Sequence, residues 1–191
     1  MPRYRTRSWR AYDGGALARR SAELRAAPAI VRILGLDPGS QRTGFGVIEC
    51  HGPDYRHVAH GCIAVAGLEL AERLRRIFEA LQALISEHLP GEIAVERVFV
   101  NRNVDSALKL GQARGAALCA VPQGTPVFEY APRAIKLALV GSGAAEKVQV
   151  AHMIKTLLQL DGKISPDASD ALAIAVCHAH TRRLHQLASS Q

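Results

Sequence analysis

The chain has 191 residues, of which 48% are apolar, which is enough for one domain with a sizeable core. No apolar run approaches the roughly 20 residues that cross a bilayer, so a soluble protein is expected. The net charge of +7 hints at nucleic acid, but residues 1–30 hold seven arginines against two acids, a balance of +5, whereas residues 31–191 hold 17 basic and 15 acidic groups.

Residues 1–30 lack apolar periodicity and read as a basic, disordered arm. It fits a nucleic-acid-binding tail, an Arg-rich transit peptide, or a non-native start with true translation near Val31. The abrupt onset of strand pattern at residue 31 favours the third. The expected organisation is therefore an arm at 1–30, one domain at 31–183 and a tail at 184–191.

Residues 31–37, 43–50 and 55–65 read as three strands joined by turns at Pro38-Gly39 and Gly52-Pro53. From Glu69 to Leu89, apolar residues at spacings of three and four predict a helix. Ile93-Ala94-Val95 is a short buried strand closed by Glu96. A helix over 104–121, a fifth strand over 126–130 and a short helix over 132–140 follow. A Gly-Ser-Gly turn at 141–143 leads to helices at 146–160 and 166–183. The order predicts an α/β fold: a mixed five-stranded sheet flanked by helices, with hairpins early and crossovers later.

Cys50, Cys62, Cys119 and Cys177 are scattered and form no C-x-x-C pair, which suits free thiols in a reducing, cytoplasmic compartment. Cys177-His178-Ala179-His180 could bind a metal, but a chance gathering near a helix end is preferred.

Four carboxylates stand out by position. Asp37 closes the first strand and Glu96 the fourth, while Asp167 and Asp170 open the last helix in SPDASD. Each has a plain alternative. Asp37 suits the start of a turn before Pro-Gly, and Glu96 suits a solvated charge. Asp167 fits a helix first turn behind a Ser165 cap and Pro166. Asp170 is harder to dismiss, because it directly precedes Ala171-Leu172-Ala173-Ile174-Ala175-Val176, which reads as buried nearly all round. Asp167 and Asp170 share a helix face. Carboxylates projecting together toward a core need a positive charge between them, and oxygen donors favour Mg²⁺ or Mn²⁺ over zinc. Two such ions could clamp a phosphate.

The blocks GLDPGSQRTGFGV, AVERVF, NVDSALKLGQARG, VFEYAPRAIK, GSGAAEKVQV and SPDASDALAIA resemble, in order and spacing, the bacterial RuvC family of Holliday-junction resolvases. The resemblance runs from about residue 32 to 180. It implies a ribonuclease-H-like fold, a homodimer and Mg²⁺-dependent paired nicking of four-way DNA junctions, with two Mg²⁺ per site and Mn²⁺ as a substitute. It also implies a branch-migration motor (RuvA and RuvB) as partner.

The same resemblance places the catalytic, metal-holding acids at Asp37, Glu96, Asp167 and Asp170, and basic residues near the scissile phosphate at Lys136 and Lys147. An aromatic wedge falls on Phe99. Arg97 and Arg102 flank Phe99, an arrangement suited to base stacking beside phosphate contacts. Ala107, Gly111 and Gly115 form a small-residue row that packs either on its own sheet or, as the family implies, against the same helix of a second chain.

A non-catalytic DNA-binding module would explain the arm and Phe99 but not four converging acids, which repel phosphate without metal. An actin-like ATPase shares the first strand, Asp and Gly-rich turn, yet the chain is too short for two such domains. A pseudo-nuclease relative acting on RNA is a third alternative; the intact acid set argues against lost catalysis, though not against a different polynucleotide.

Overall fold

A computed structural model describes residues 30–97 and 104–188. Five strands, β1 (Val31–Asp37), β2 (Arg42–His51), β3 (Asp54–Ala64), β4 (Glu92–Glu96) and β5 (Val127–Tyr130), form one sheet in the order β3-β2-β1-β4-β5. The first three pair antiparallel as hairpins, and β1–β4 and β4–β5 pair parallel through helical crossovers. This is the mixed sheet expected from the element order.

Two layers of helix cover the sheet. On one face lie α1 (Leu70–His88) and α2 (Val104–Cys119). On the other lie α3 (Pro132–Val140), α4 (Lys147–Leu157) and the central α5 (Pro166–Ala188). Strand alternation divides the two cores. Leu34, Leu36, Ile93 and Val95 pack toward α1 and α2, while Ile33 and Ala94 pack toward α5. Each fully buried Leu or Ile contributes about 1.5–3 kcal/mol of apolar burial.

Ser165 Oγ accepts the Ala168 N–H at 3.3 Å and Pro166 is the first helical residue, as the sequence suggests for α5. From Ala171 to Cys177 every residue is at most 1% exposed, so this stretch is buried on all sides. Three glycines let it lie directly on the sheet. A Cβ at Gly35 would stand 2.1 Å from Ala171 O, one at Gly44 2.0 Å from Asp167 O, and one at Gly46 2.7 Å from the Leu172 side chain.

Helix ends differ from the sequence reading. α2 stops at Cys119, and α4 stops at Leu157, before Gln159 takes a left-handed φ of 51°. α5 continues five residues past 183 to Ala188, since no Gly or Pro interrupts the HTRRLHQLA stretch after Ala179 and Thr181 bonds back to Cys177 O.

Candidate active site

Period-two alternation decides where the strand-end acids point. Ile33, Gly35 and Asp37 share one face of β1, and Glu92, Ala94 and Glu96 share the same face of β4. Leu36 pairs with Val95 in the parallel ladder, so Asp37 and Glu96 are the next positions on adjacent strands. Both face α5. The contact of Gly35 with Ala171 and Ala175 then sets α5 across them, bringing Asp170 to the same place.

Asp37, Glu96 and Asp170 line one open pocket of about 380 Å³, together with Lys136, Lys147, Ile135 and Val150. Burial pushes the Asp37 carboxyl up to about 7, with Glu96 and then Asp170 adding repulsion, Lys147 opposing and Asp167 adding a smaller push. Burial also raises Glu96, again reinforced by Asp170 and opposed by Lys147 and Lys136. Lys147 Nζ donates to Asp170 Oδ2 at 2.8 Å, and that bond holds the ammonium above its ordinary value.

Asp167 stands apart from this trio. Its Oδ2 lies 3.9 Å from Arg42 Nη1 and 3.7 Å from Cys62 Sγ, on the β2–β3 side of α5. Among the described residues, no three His, Cys, Asp or Glu side chains are already gathered as an ion cage. Asp170 is engaged by Lys147, and Asp167 by Arg42.

The remaining sequence-predicted residues fall as follows. Arg97 pairs with Glu129 at 3.7 Å. Phe99 and Arg102 lie outside the described residues. Gly111 and Gly115 are exposed, and a Cβ on either would meet nothing within 4 Å. Gly111 and Gly115 thus pack on nothing among the described residues, whereas Ala107 is half-buried; Ala113 and Ala117 bury α2. The Cys177–His180 group does not converge. His178 bonds to Glu92 and Tyr130, His180 to Ala138 O, and Cys177 is buried.

Sequence reasoning missed Arg42 and Cys62, which hold Asp167, and the glycines that seat α5. Gly35, Gly44 and Gly46 inside strands are the one available signal, since an interior strand glycine marks a close backbone approach.

Comparison with known proteins matches residues 33–178 to the family described as crossover junction endodeoxyribonuclease RuvC. The chain belongs to the RuvC family. A RuvC crossover junction endodeoxyribonuclease of Methylococcus capsulatus is 54% identical over 155 residues, covering 81% of this chain and 93% of the relative. One from Alkalilimnicola ehrlichii is 55% identical over 150 residues, covering 78% and 91%. Among solved structures, T. thermophilus RuvC in complex with a Holliday junction substrate superposes with a TM-score of 0.77 at 33% identity, covering 81% of this chain and 96% of that one. The yeast mitochondrial Holliday junction resolvase shares the fold at a TM-score of 0.57 and 14% identity, covering 89% of both chains. The sheet and its flanking helices are thus the ribonuclease-H-like fold of the RuvC resolvases.

Proposed function

We propose that this chain is a crossover junction endodeoxyribonuclease that hydrolyses phosphodiester bonds at four-way DNA junctions, with Asp37, Glu96 and Asp170 as its central catalytic acids. The observation that carries this reading is the convergence of three carboxylates from β1, β4 and α5 on one pocket rimmed by two lysines. Left uncompensated, such a cluster repels a phosphate backbone.

The donor set fits a hard divalent cation. Among the described residues the pocket's side-chain oxygen donors are carboxylates, and Asp37 is held so far above its ordinary value that its ionised form calls for a neighbouring positive charge. Asp37, Glu96 and Asp170 would hold it, with Asp167 as a fourth donor once released from Arg42. Mg²⁺ is the preferred ion and Mn²⁺ the substitute. Bound there, the metal would supply an activated water and neutralise charge on the phosphate.

The chain's own groups do the rest. Strand ends fix Asp37 and Glu96, and the glycine seats under Asp167 and Ala171 fix the start of α5. Lys147 has a 77% exposed side chain at the pocket, placed to exchange Asp170 for a phosphate oxygen and offset charge growing there. Lys136, on the same pocket, serves as a second phosphate contact, and Arg97, Phe99 and Arg102 are proposed as DNA contacts from family membership alone.

Two strands must be cut and each chain offers one site, so a homodimer suits the substrate. Val104 and Leu108 are 77% and 60% exposed on α2, beside the open Gly111 and Gly115. That apolar row, with Ala107, is the proposed twofold contact. The branch-migration motor remains a partner proposed from family membership. The nuclease unit is proposed to begin at residue 31 and to run through α5, and the excess of arginine in residues 1–30 lies outside it.

A synthetic four-way junction labelled on each strand tests the function. Paired nicks with Mg²⁺, none with chelator, and none with Glu96→Gln despite retained junction binding are expected. Intact strands with Mg²⁺ in the wild type would favour a binding module instead.

A further inference from the structure

β3 contains a bulge whose consequence lies away from the acidic pocket. Ala59 pairs with Val47 and His57 with Ile48, so Val58 is an extra residue without a partner in the β2 ladder. On a regular strand, residues three apart point to opposite faces. The extra residue resets the alternation, so Tyr55, His57, His60 and Cys62 all face α5. Tyr55 stacks at a tilt 5.4 Å from His180, and Cys62 reaches Asp167. Between them the His57 and His60 rings lie 4.8 Å apart, with His60 Nδ1 and His57 Nε2 separated by 2.7 Å. Both residues are half-buried.

We propose that His57 and His60 form a bidentate site for a borderline transition-metal ion of the Zn²⁺, Ni²⁺ or Cu²⁺ class, separate from the acidic pocket. Imidazole nitrogens select this class, whereas Mg²⁺ prefers oxygen. Two nitrogens each about 2.0–2.1 Å from one ion stand about 2.9–3.4 Å apart, so the nitrogens, now 2.7 Å apart, need separate by less than an ångström while the rings turn their lone pairs off the N···N line toward the ion.

At present one nitrogen of the pair holds the proton and the other accepts it. Metal entry needs both lone pairs, and it gets them when the proton shifts to the other nitrogen of the donor's own ring, with no change in charge. Burial, with His60 as neighbour, holds His57 below its ordinary value, which favours the neutral, ligating form of its ring. Regular pairing on both sides of the bulge, Tyr55 with Cys50 and Gly61 with Phe45, fixes the two backbones. Since no group of three such donors exists among the described residues, the remaining coordination positions go to water or an outside ligand.

The test is Zn²⁺ titration of the full chain, followed through its imidazole proton resonances. The expected result is 1:1 binding in which the His57 and His60 signals move first and excess Mg²⁺ leaves them unchanged. His57→Gln and His60→Gln should each weaken binding at least tenfold, with Mg²⁺-driven junction cutting unaltered. First-equivalent shifts at other histidines, no histidine shift at all, or wild-type Zn²⁺ affinity in either variant would overturn the proposal. Should a variant fail to fold, the wild-type titration decides alone. None of these outcomes bears on the acidic pocket.

Discussion

Lys147 Nζ and Asp170 Oδ2 are joined by a 2.8 Å charge-assisted hydrogen bond that ties the first residue of α4 to the second turn of α5. Both residues line the acidic pocket. The lysine is largely exposed, so the pair stabilises the fold by about 0–1 kcal/mol. Its value lies in chemistry. Lys147→Ala is expected to slow single-turnover nicking at least tenfold, about 1.4 kcal/mol in barrier, while the urea midpoint hardly moves. Unchanged turnover would return Lys147 to an ordinary surface lysine.

Asp37 makes stability depend on pH in the absence of metal. Its native carboxyl titrates at about 7 against an ordinary 3.8, chiefly through burial and Glu96. Between those values the unfolded chain has released a proton that the native state still holds, so stability falls as pH rises from about 4 to about 7. Asp37→Asn removes that slope. Urea unfolding in chelator at pH 5 and pH 8 should show the wild type losing more stability than the variant. Parallel losses would contradict the shift.

The seat of α5 is testable by adding one methyl group. Gly35→Ala would force a carbon against the Ala171 carbonyl, costing about 1–3 kcal/mol and displacing Asp170. At Gly91 the nearest atom is 3.9 Å away, so Gly91→Ala serves as the control. Thermal melts and junction nicking should separate the two variants. Equal behaviour would mean that the helix does not rest on Gly35.

The exposed row on α2 predicts an oligomeric effect. Leu108 is 60% exposed, and Leu108→Glu should give a folded monomer by sedimentation that no longer makes paired nicks. A dimer of unchanged affinity would place the twofold contact elsewhere.

Position along a strand or helix was readable from the sequence wherever local pattern governs it. Asp37 and Glu96 follow buried apolar strands, and the Ala-Leu-Ala-Ile-Ala-Val run of α5 announces its own burial, as the structure bears out. Facts that depend on distant pairing were not readable. Arg42 reaches Asp167 only because β2 passes under the first turn of α5. The clustered letters Cys177-His178-Ala179-His180 read as a chance gathering rather than a metal site, and helical spacing agrees, turning His178 to Glu92 and Tyr130 and His180 to the α3 carbonyl of Ala138.

What the sequence could not supply is the partners of His178. Burial holds its ring below the ordinary value despite Glu92, so the neutral ring donates from Nε2 to Glu92 at 2.8 Å and accepts the Tyr130 hydroxyl at Nδ1 at 2.7 Å. It is a satisfied core polar group that clamps α5 to β4 and β5. The β3 bulge is likewise invisible to pattern, because one inserted residue merely shifts the alternation. A reader of strict period two would have put His57 and His60 on opposite faces.

The central claim is that Asp37, Glu96 and Asp170 together hold a divalent cation. Anomalous scattering from crystals soaked in Mn²⁺ tests it most directly. A manganese peak bounded by these three carboxylates, with Lys147 turned away from Asp170, is the predicted result. A map in which the pocket stays without a peak at saturating Mn²⁺ while the Lys147–Asp170 bond persists would contradict it.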